Sequence, residues 1–239
     1  MCACFGAEVR GQSHHRELAQ LARAPALGAG GRRFKSGIPD HTFFYRMKFL
    51  HDTTWEEVFS SWRSREANNP GWVRCATEIK GWPDWESWRR FTASQIDAEN
   101  RSWQIFEVTE PTEEVPQFLV GPFSGWQSRV TNKNKTTFQE LLDTPKQYQH
   151  FSKHEGVVSI LNHLPFATEF IGIVRGDIRK VACLEGHHRA TAIALAKKEG
   201  KQIDFSKVRV TVALTHLPAG ECSLFDEILK RGSSKNSHT

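Results

Sequence analysis

The run Cys183-Leu184-Glu185-Gly186-His187-His188-Arg189-Ala190 carries the residue types best suited to chemistry in this chain. It joins a strand-like segment, Val181 to Leu184, to an alanine-rich segment of high helix propensity, Ala190 to Lys198. A glycine at a strand-to-helix turn lets the backbone come close to a ligand. The first amides of the helix are unpaired and carry the positive end of its dipole, so they form a ready anion site. Arg189 can hold two phosphate oxygens at once, and His188 can donate to a third. His187 can move a proton near neutral pH. Cations at a helix N-terminus oppose the dipole, so three potential cations there point to an anionic ligand. The adjacent acid, Glu185, can bind Mg2+ or orient an acceptor hydroxyl. Gly186, His188 and Arg189 are therefore the expected phosphate-binding residues. Glu185 and His187 are the expected catalytic residues, and Glu185 is the expected metal ligand. A competing local reading makes the histidines helix caps and pairs Arg189 with Glu185 or Asp177. Zinc is disfavoured, because adjacent histidines face different sides and no third ligand lies near in sequence.

The elements that must position this turn can be read from periodicity. Glu169 to Val174 and Val181 to Leu184 read as antiparallel strands joined by the turn Arg175-Gly176-Asp177. Gly200 ends the helix after the turn, and Val208 to Leu214 alternates as a last strand. Upstream, Thr54 and Glu57 form a capping box ahead of Trp55, Val58, Phe59 and Trp62, which share one helical face. Asn68 to Gly71 ends that helix. Asp84 caps a second helix with Trp85, Trp88 and Phe91 facing inward. The steps Trp55 to Trp85 and Trp72 to Trp103 suggest a duplicated helix-plus-Trp unit. Tryptophan at helical spacing reads as core, with a stacking platform for bases or sugars as the alternative. Trp103 to Thr109 and Gln117 to Val120 read as short strands, and residues 121–126 as a loop. Thr137 and Glu140 form another capping box, before Phe138, Leu141 and Leu142. A helical stretch starting at Pro145 places Phe151, Val158 and Leu161 on one face.

The chain's net charge of +5 invites a nucleic-acid reading, but its distribution argues against one. Residues 1–46 hold seven Lys/Arg against three Asp/Glu, a net +4, which leaves +1 for the rest. These 46 residues lack sustained periodicity, so they are expected to be disordered. They read as an extension upstream of a start at Met47, or as an Arg-rich targeting segment. Five cysteines, an odd number with only Cys2 and Cys4 close together, do not make a disulfide framework. A reducing, cytoplasmic setting is expected. No stretch approaches the roughly 20 apolar residues of a membrane helix.

A strand, a Gly-x-His-Arg turn and an alanine-rich helix resemble the signature of the ParB/sulfiredoxin superfamily. The resemblance spans residues of about 150–215, through a helix near 153–163, strands at 168–174 and 181–186, a helix at 187–199 and a strand at 208–214. It implies a nucleotide whose phosphates sit on the turn. Sulfiredoxins match Gly186, His188 and Arg189 but carry their catalytic cysteine where this chain has His187. ParB proteins, which bind CTP and DNA, use an Arg-rich turn and add a helix-turn-helix domain, for which no long enough segment follows Leu214. The free-serine kinases of the same fold resemble this chain best, because they carry an acidic residue before Gly-His-His-Arg. Glu185 stands where an Asp is expected, and their second catalytic carboxylate, near the first strand, is not matched to a residue here.

The expected fold is α+β: a small mixed-sheet ParB/sulfiredoxin-like domain over 111–222, preceded by a Trp-rich helical region over 47–110 packed on it and followed by a C-terminal helix and tail, 223–239. The expected function is a nucleotide-dependent phosphotransferase acting on a small-molecule acceptor, with Mg2+ and ATP or ADP. The alternative is a ParB-like nucleotide- or DNA-binding module without turnover.

Overall fold

The computed structural model describes residues 47–230. The expectations for residues 1–46 lie outside them, as does the tail beyond Lys230. The elements are β1 (Met47–Thr53), α1 (Trp55–Glu66), α2 (Pro70–Arg74), α3 (Trp85–Ser94), β2 (Trp103–Val108), α4 (Pro111–Glu114), α5 (Ser124–Gln127), α6 (Phe138–Asp143), α7 (Pro145–Phe151), α8 (Glu155–His163), β3 (Thr168–Arg175), β4 (Lys180–Glu185), α9 (His187–Lys198), β5 (Val210–Leu217) and α10 (Leu224–Lys230). A π-helical turn, Cys75–Ile79, follows α2 directly. None of the helices among the described residues is long and apolar enough to cross a membrane.

The fold is α+β, built on one five-stranded mixed sheet in the order β1-β2-β5-β3-β4. β3 and β4 form the antiparallel hairpin expected from their short connection, and α9 carries the chain across to β5, which runs parallel to β3. Alternation along each strand sends neighbours to opposite faces. Phe106, Phe170, Val212 and Leu214 enter one core with α6, α8 and α9. Ile105, Ile171, Ile173 and Ala213 enter the other with the tryptophans of α1 and α3. The sheet is thus the middle of three layers. β1, within the region read as helical, and β2, the strand expected over Trp103 to Thr109, extend the same sheet that carries the turn.

Local signals account for most helix starts. The capping boxes at Thr54/Glu57 and Thr137/Glu140 are formed in both directions, and the Asp84 carboxylate accepts the Ser87 amide at 2.6 Å. Asn69 does more than end α1, because its side chain caps a new helix whose first residue is Pro70.

Several expectations are corrected. β1 was not foreseen, because it is an edge strand whose residues are only half buried or exposed and show no period of two. The segment 117–120 is not a strand. Gln117 ends a 3-10 turn, Val115–Gln117, and Leu119 alone exchanges backbone hydrogen bonds with Val181 and Cys183 and so covers the outer edge of β4. The stretch from Pro145 is two helices, with His154 as the N-cap of the second. The break rotates the pattern, so Val157 is buried where Val158 was expected. The Trp unit does not repeat, since Trp72 lies on α2 and Trp103 opens β2.

Candidate functional site

β4 ends at Glu185 and α9 begins at His187, so Gly186 alone makes the strand-to-helix turn. Its φ of 101° lies where L side chains are strained, and a Cβ there would run into the Phe170 ring. α9 starts without a side-chain cap, so among the described residues its first amides are not satisfied by an N-cap hydroxyl or carboxylate. This end of the helix opens on a cavity of about 410 Å3 between the sheet, the α1–α3 layer and the α5–α7 side. That size suits a small-molecule ligand. Glu185, Gly186, His187, His188 and Arg189 all line it, so the fold brings the five expected residues together at one place.

Their states differ from one another. The Arg189 guanidinium donates through Nη2 to both oxygens of Glu185 and through Nη1 to Thr168 Oγ1 at 2.8 Å. The ion pair anticipated as the competing reading is therefore present, between α9 and the end of β4. Burial works against the Arg189 charge, but Glu185 and Glu66 outweigh it and raise its pKa. Burial also pushes the Glu185 carboxyl up, to about 7. Arg189 and Arg65 pull it down, while Glu66 adds to the rise by its charge and by a hydrogen bond.

His187 is buried among rings, stacked on Trp126 at 4.9 Å and edge-on to Phe123 and Phe138. Its Nε2 accepts the Gly121 amide at 3.2 Å, and its Nδ1 lies 3.8 Å from Cys183 Sγ. Burial, followed by the charges of His188 and nearby arginines, lowers its pKa to about 3. A neutral ring with both nitrogens engaged has no atom free to carry a substrate proton. These contacts tie His187 to the Gly121 loop and to β4. Gly121 is required there, because a Cβ would collide with the Cys183 carbonyl and the His187 ring. Burial pushes the Cys183 thiol well up, so it is a packing group.

His188 is half buried and its pKa falls to about 4, through burial and then His154, Arg189 and Arg129. It stacks on His154 at 5.1 Å.

The structure adds residues that sequence reasoning missed. Glu66, the last residue of α1, turns toward Glu185 and is held by the Trp62 indole at 2.9 Å and by Arg89 at 3.3 Å. Arg89 sits in a cage of tryptophans, its guanidinium 3.9 Å from the Trp88 ring centre and 4.8 Å from that of Trp62. Arg129, His150 and His154 come to the opposite wall from three further segments. The spacing Trp62/Glu66 at i, i+4 was a legible sign that Glu66 is tied to the aromatic face. Nothing local marks Arg129 or the two histidines, which meet only across the fold.

Comparison with models of known protein families, with curated proteins and with solved structures gives no match for this chain.

Proposed function

We propose that this cavity binds a nucleotide by its phosphates and transfers a phosphoryl group to a small hydroxyl-bearing acceptor, in the manner the ParB/sulfiredoxin-like turn implies. The observation that carries the reading is the start of α9, which has no side-chain cap and opens on one cavity that the buried Glu185 and the partly buried Glu66 also line. Phosphoryl transfer asks mainly for positioning and charge neutralisation. The amides after Gly186 and the His188 ring would hold the phosphates. Arg189 would fix the Glu185 carboxylate in place through both of its oxygens. Glu185 would take the acceptor proton as the acceptor oxygen bonds to phosphorus and the bond to the departing nucleotide breaks. A carboxyl near pH 7 suits that exchange, because it can accept and release a proton under working conditions.

Among the described residues no group of three or more His, Cys, Asp or Glu is placed to hold a metal through protein ligands alone. Mg2+ commonly uses one or two carboxylates and completes its shell with phosphate oxygens and water; with both Glu185 oxygens taken by Arg189, Glu66 is the carboxylate that would hold it. Bound there, it would neutralise charge on the phosphoryl oxygens.

The test is a thermal-shift panel of ATP, ADP, CTP and GTP with and without Mg2+, followed by turnover against pH with small hydroxyl acceptors. At least one nucleotide should raise the melting temperature, and turnover should rise with pH through about 7 as Glu185 ionises. Glu185→Gln should keep nucleotide affinity and lower turnover roughly 100-fold or more. If nucleotide binds but neither protein turns over, the binding-module reading replaces this one, a reading favoured by the Arg189–Glu185 pair that already satisfies both groups. No stabilisation by any nucleotide would refute both.

A further inference from the structure

Arg129 lines the cavity with no carboxylate in ion-pair contact among the described residues. Its guanidinium lies 5.4 Å from the Phe151 ring centre, and burial alone lowers its pKa. A partly buried cation without a counterion is costly unless something anionic visits it. Every other arginine on the cavity wall is matched: Arg89 by Glu66, Arg189 by Glu185. Beside Arg129 stand three imidazoles from three elements, with His150 on α7, His154 at the N-cap of α8 and His188 in the first turn of α9. They form a ladder, with ring centres 5.7 Å apart for His150 and His154 and 5.1 Å apart for His154 and His188.

We propose that Arg129, His150, His154 and His188 form a subsite for a phosphoryl dianion, separate from the Arg189–Glu185 pair. The proposal rests on the reading of this cavity as a phosphate site and names the cation that does the work. Arg189, the arginine expected from sequence, has its charge answered by Glu185, whereas Arg129 does not. The imidazoles supply N–H donors while neutral and become cations once an anion sits among them.

Proton uptake follows from the same geometry. The pKa values of all three histidines are lowered, first by burial. Arg129 and His154 add to this at His150, Arg129 at His154, and His154, Arg189 and Arg129 at His188. Glu155 is the one acid that opposes the trend, at His154. An anion among these groups cancels the repulsion, so the histidines bind protons as the ligand enters.

Isothermal titration of the full chain with sulfate and with orthophosphate tests this. Sulfate keeps its charge across the pH range, so any pH dependence of its affinity belongs to the protein. Sulfate should bind more tightly as pH falls from 7.5 to 6.0, by up to about tenfold per pH unit for each proton taken up. Arg129→Gln should weaken both anions at least tenfold while leaving the melting temperature of the free protein unchanged or higher. His154→Asn keeps a helix cap and should flatten the pH dependence. Equal anion affinity in the parent and Arg129→Gln, or sulfate affinity independent of pH, would overturn the subsite. Failure of the phosphotransferase reading looks different: sulfate binding as described, with no nucleotide-dependent turnover. Conversely, full ATP affinity and turnover in Arg129→Gln would remove the subsite and leave that reading standing.

Discussion

At the scale of single residues, the site is governed by burial acting on charge. His187 illustrates this, since its neutral ring accepts the Gly121 amide and cannot be protonated without losing that bond. Its folded pKa of about 3 lies below the ordinary value of 6.5, so the unfolded chain binds the extra proton first as the solution is acidified. The stability this neutral histidine contributes is complete above pH 6.5 and is lost as pH falls toward 3. Between pH 6.5 and 5 the loss should reach about 2 kcal/mol for one such histidine. His187→Gln, whose amide oxygen can accept the same N–H, should show a shallower decline. Urea midpoints at pH 7 and pH 5 measure both, and a parent equally stable at the two values would contradict the account.

At the scale of elements, short helices depend on their caps. α6 has six residues, too few to persist on helix propensity, and it is fixed by the Thr137–Glu140 box and by Phe138, Leu141 and Leu142 packing beneath α9. Thr137 is itself buried, and its backbone amide is taken by the Glu140 carboxylate at 2.8 Å. Thr137→Ala removes the hydroxyl that accepts the Glu140 amide at 3.1 Å and should cost about 1 kcal/mol. Denaturant unfolding would show this as a lower midpoint with an unchanged slope. A change in slope would instead mean that the helix end had come loose from the body.

At the scale of the whole molecule, the tryptophans hold the α1–α3 layer on the sheet. Trp55, Trp62, Trp85 and Trp88 are each 5% exposed or less, and Trp55 stacks toward Trp103 on β2 at 5.1 Å. This layer carries Glu66 and Arg89 to the cavity, so its packing sets one wall of the site. Trp85 is buried between Phe59 and Trp62, and among the described residues its indole N–H has no hydrogen-bond partner. Trp85→Ala should cost roughly 3–5 kcal/mol, as expected for emptying a large core position. Trp85→Phe keeps a ring and removes the unpaired donor, so it should cost much less. Equilibrium unfolding of the two variants decides the matter. An Ala variant of parental stability that had lost its ligand would make the aromatic face a stacking platform.

The sequence by itself determined what depends on neighbours in the chain: the capping boxes, the strand–Gly186–helix turn, the β3–β4 hairpin and the helical faces that bury tryptophan. These rest on side chains three or four residues apart or on one backbone angle, and such signals survive without tertiary context. Tertiary structure alone decided the rest. β1 gains order from pairing with β2, and its own residues carry no alternation that announces it. The charge state of the turn depends on Glu66, 119 positions before Glu185 in the numbering, and on Arg129 and His154, which approach through other layers. A pKa reflects every group within a few ångströms and the water that packing has displaced, and neither is written in the residues on either side of the one that titrates.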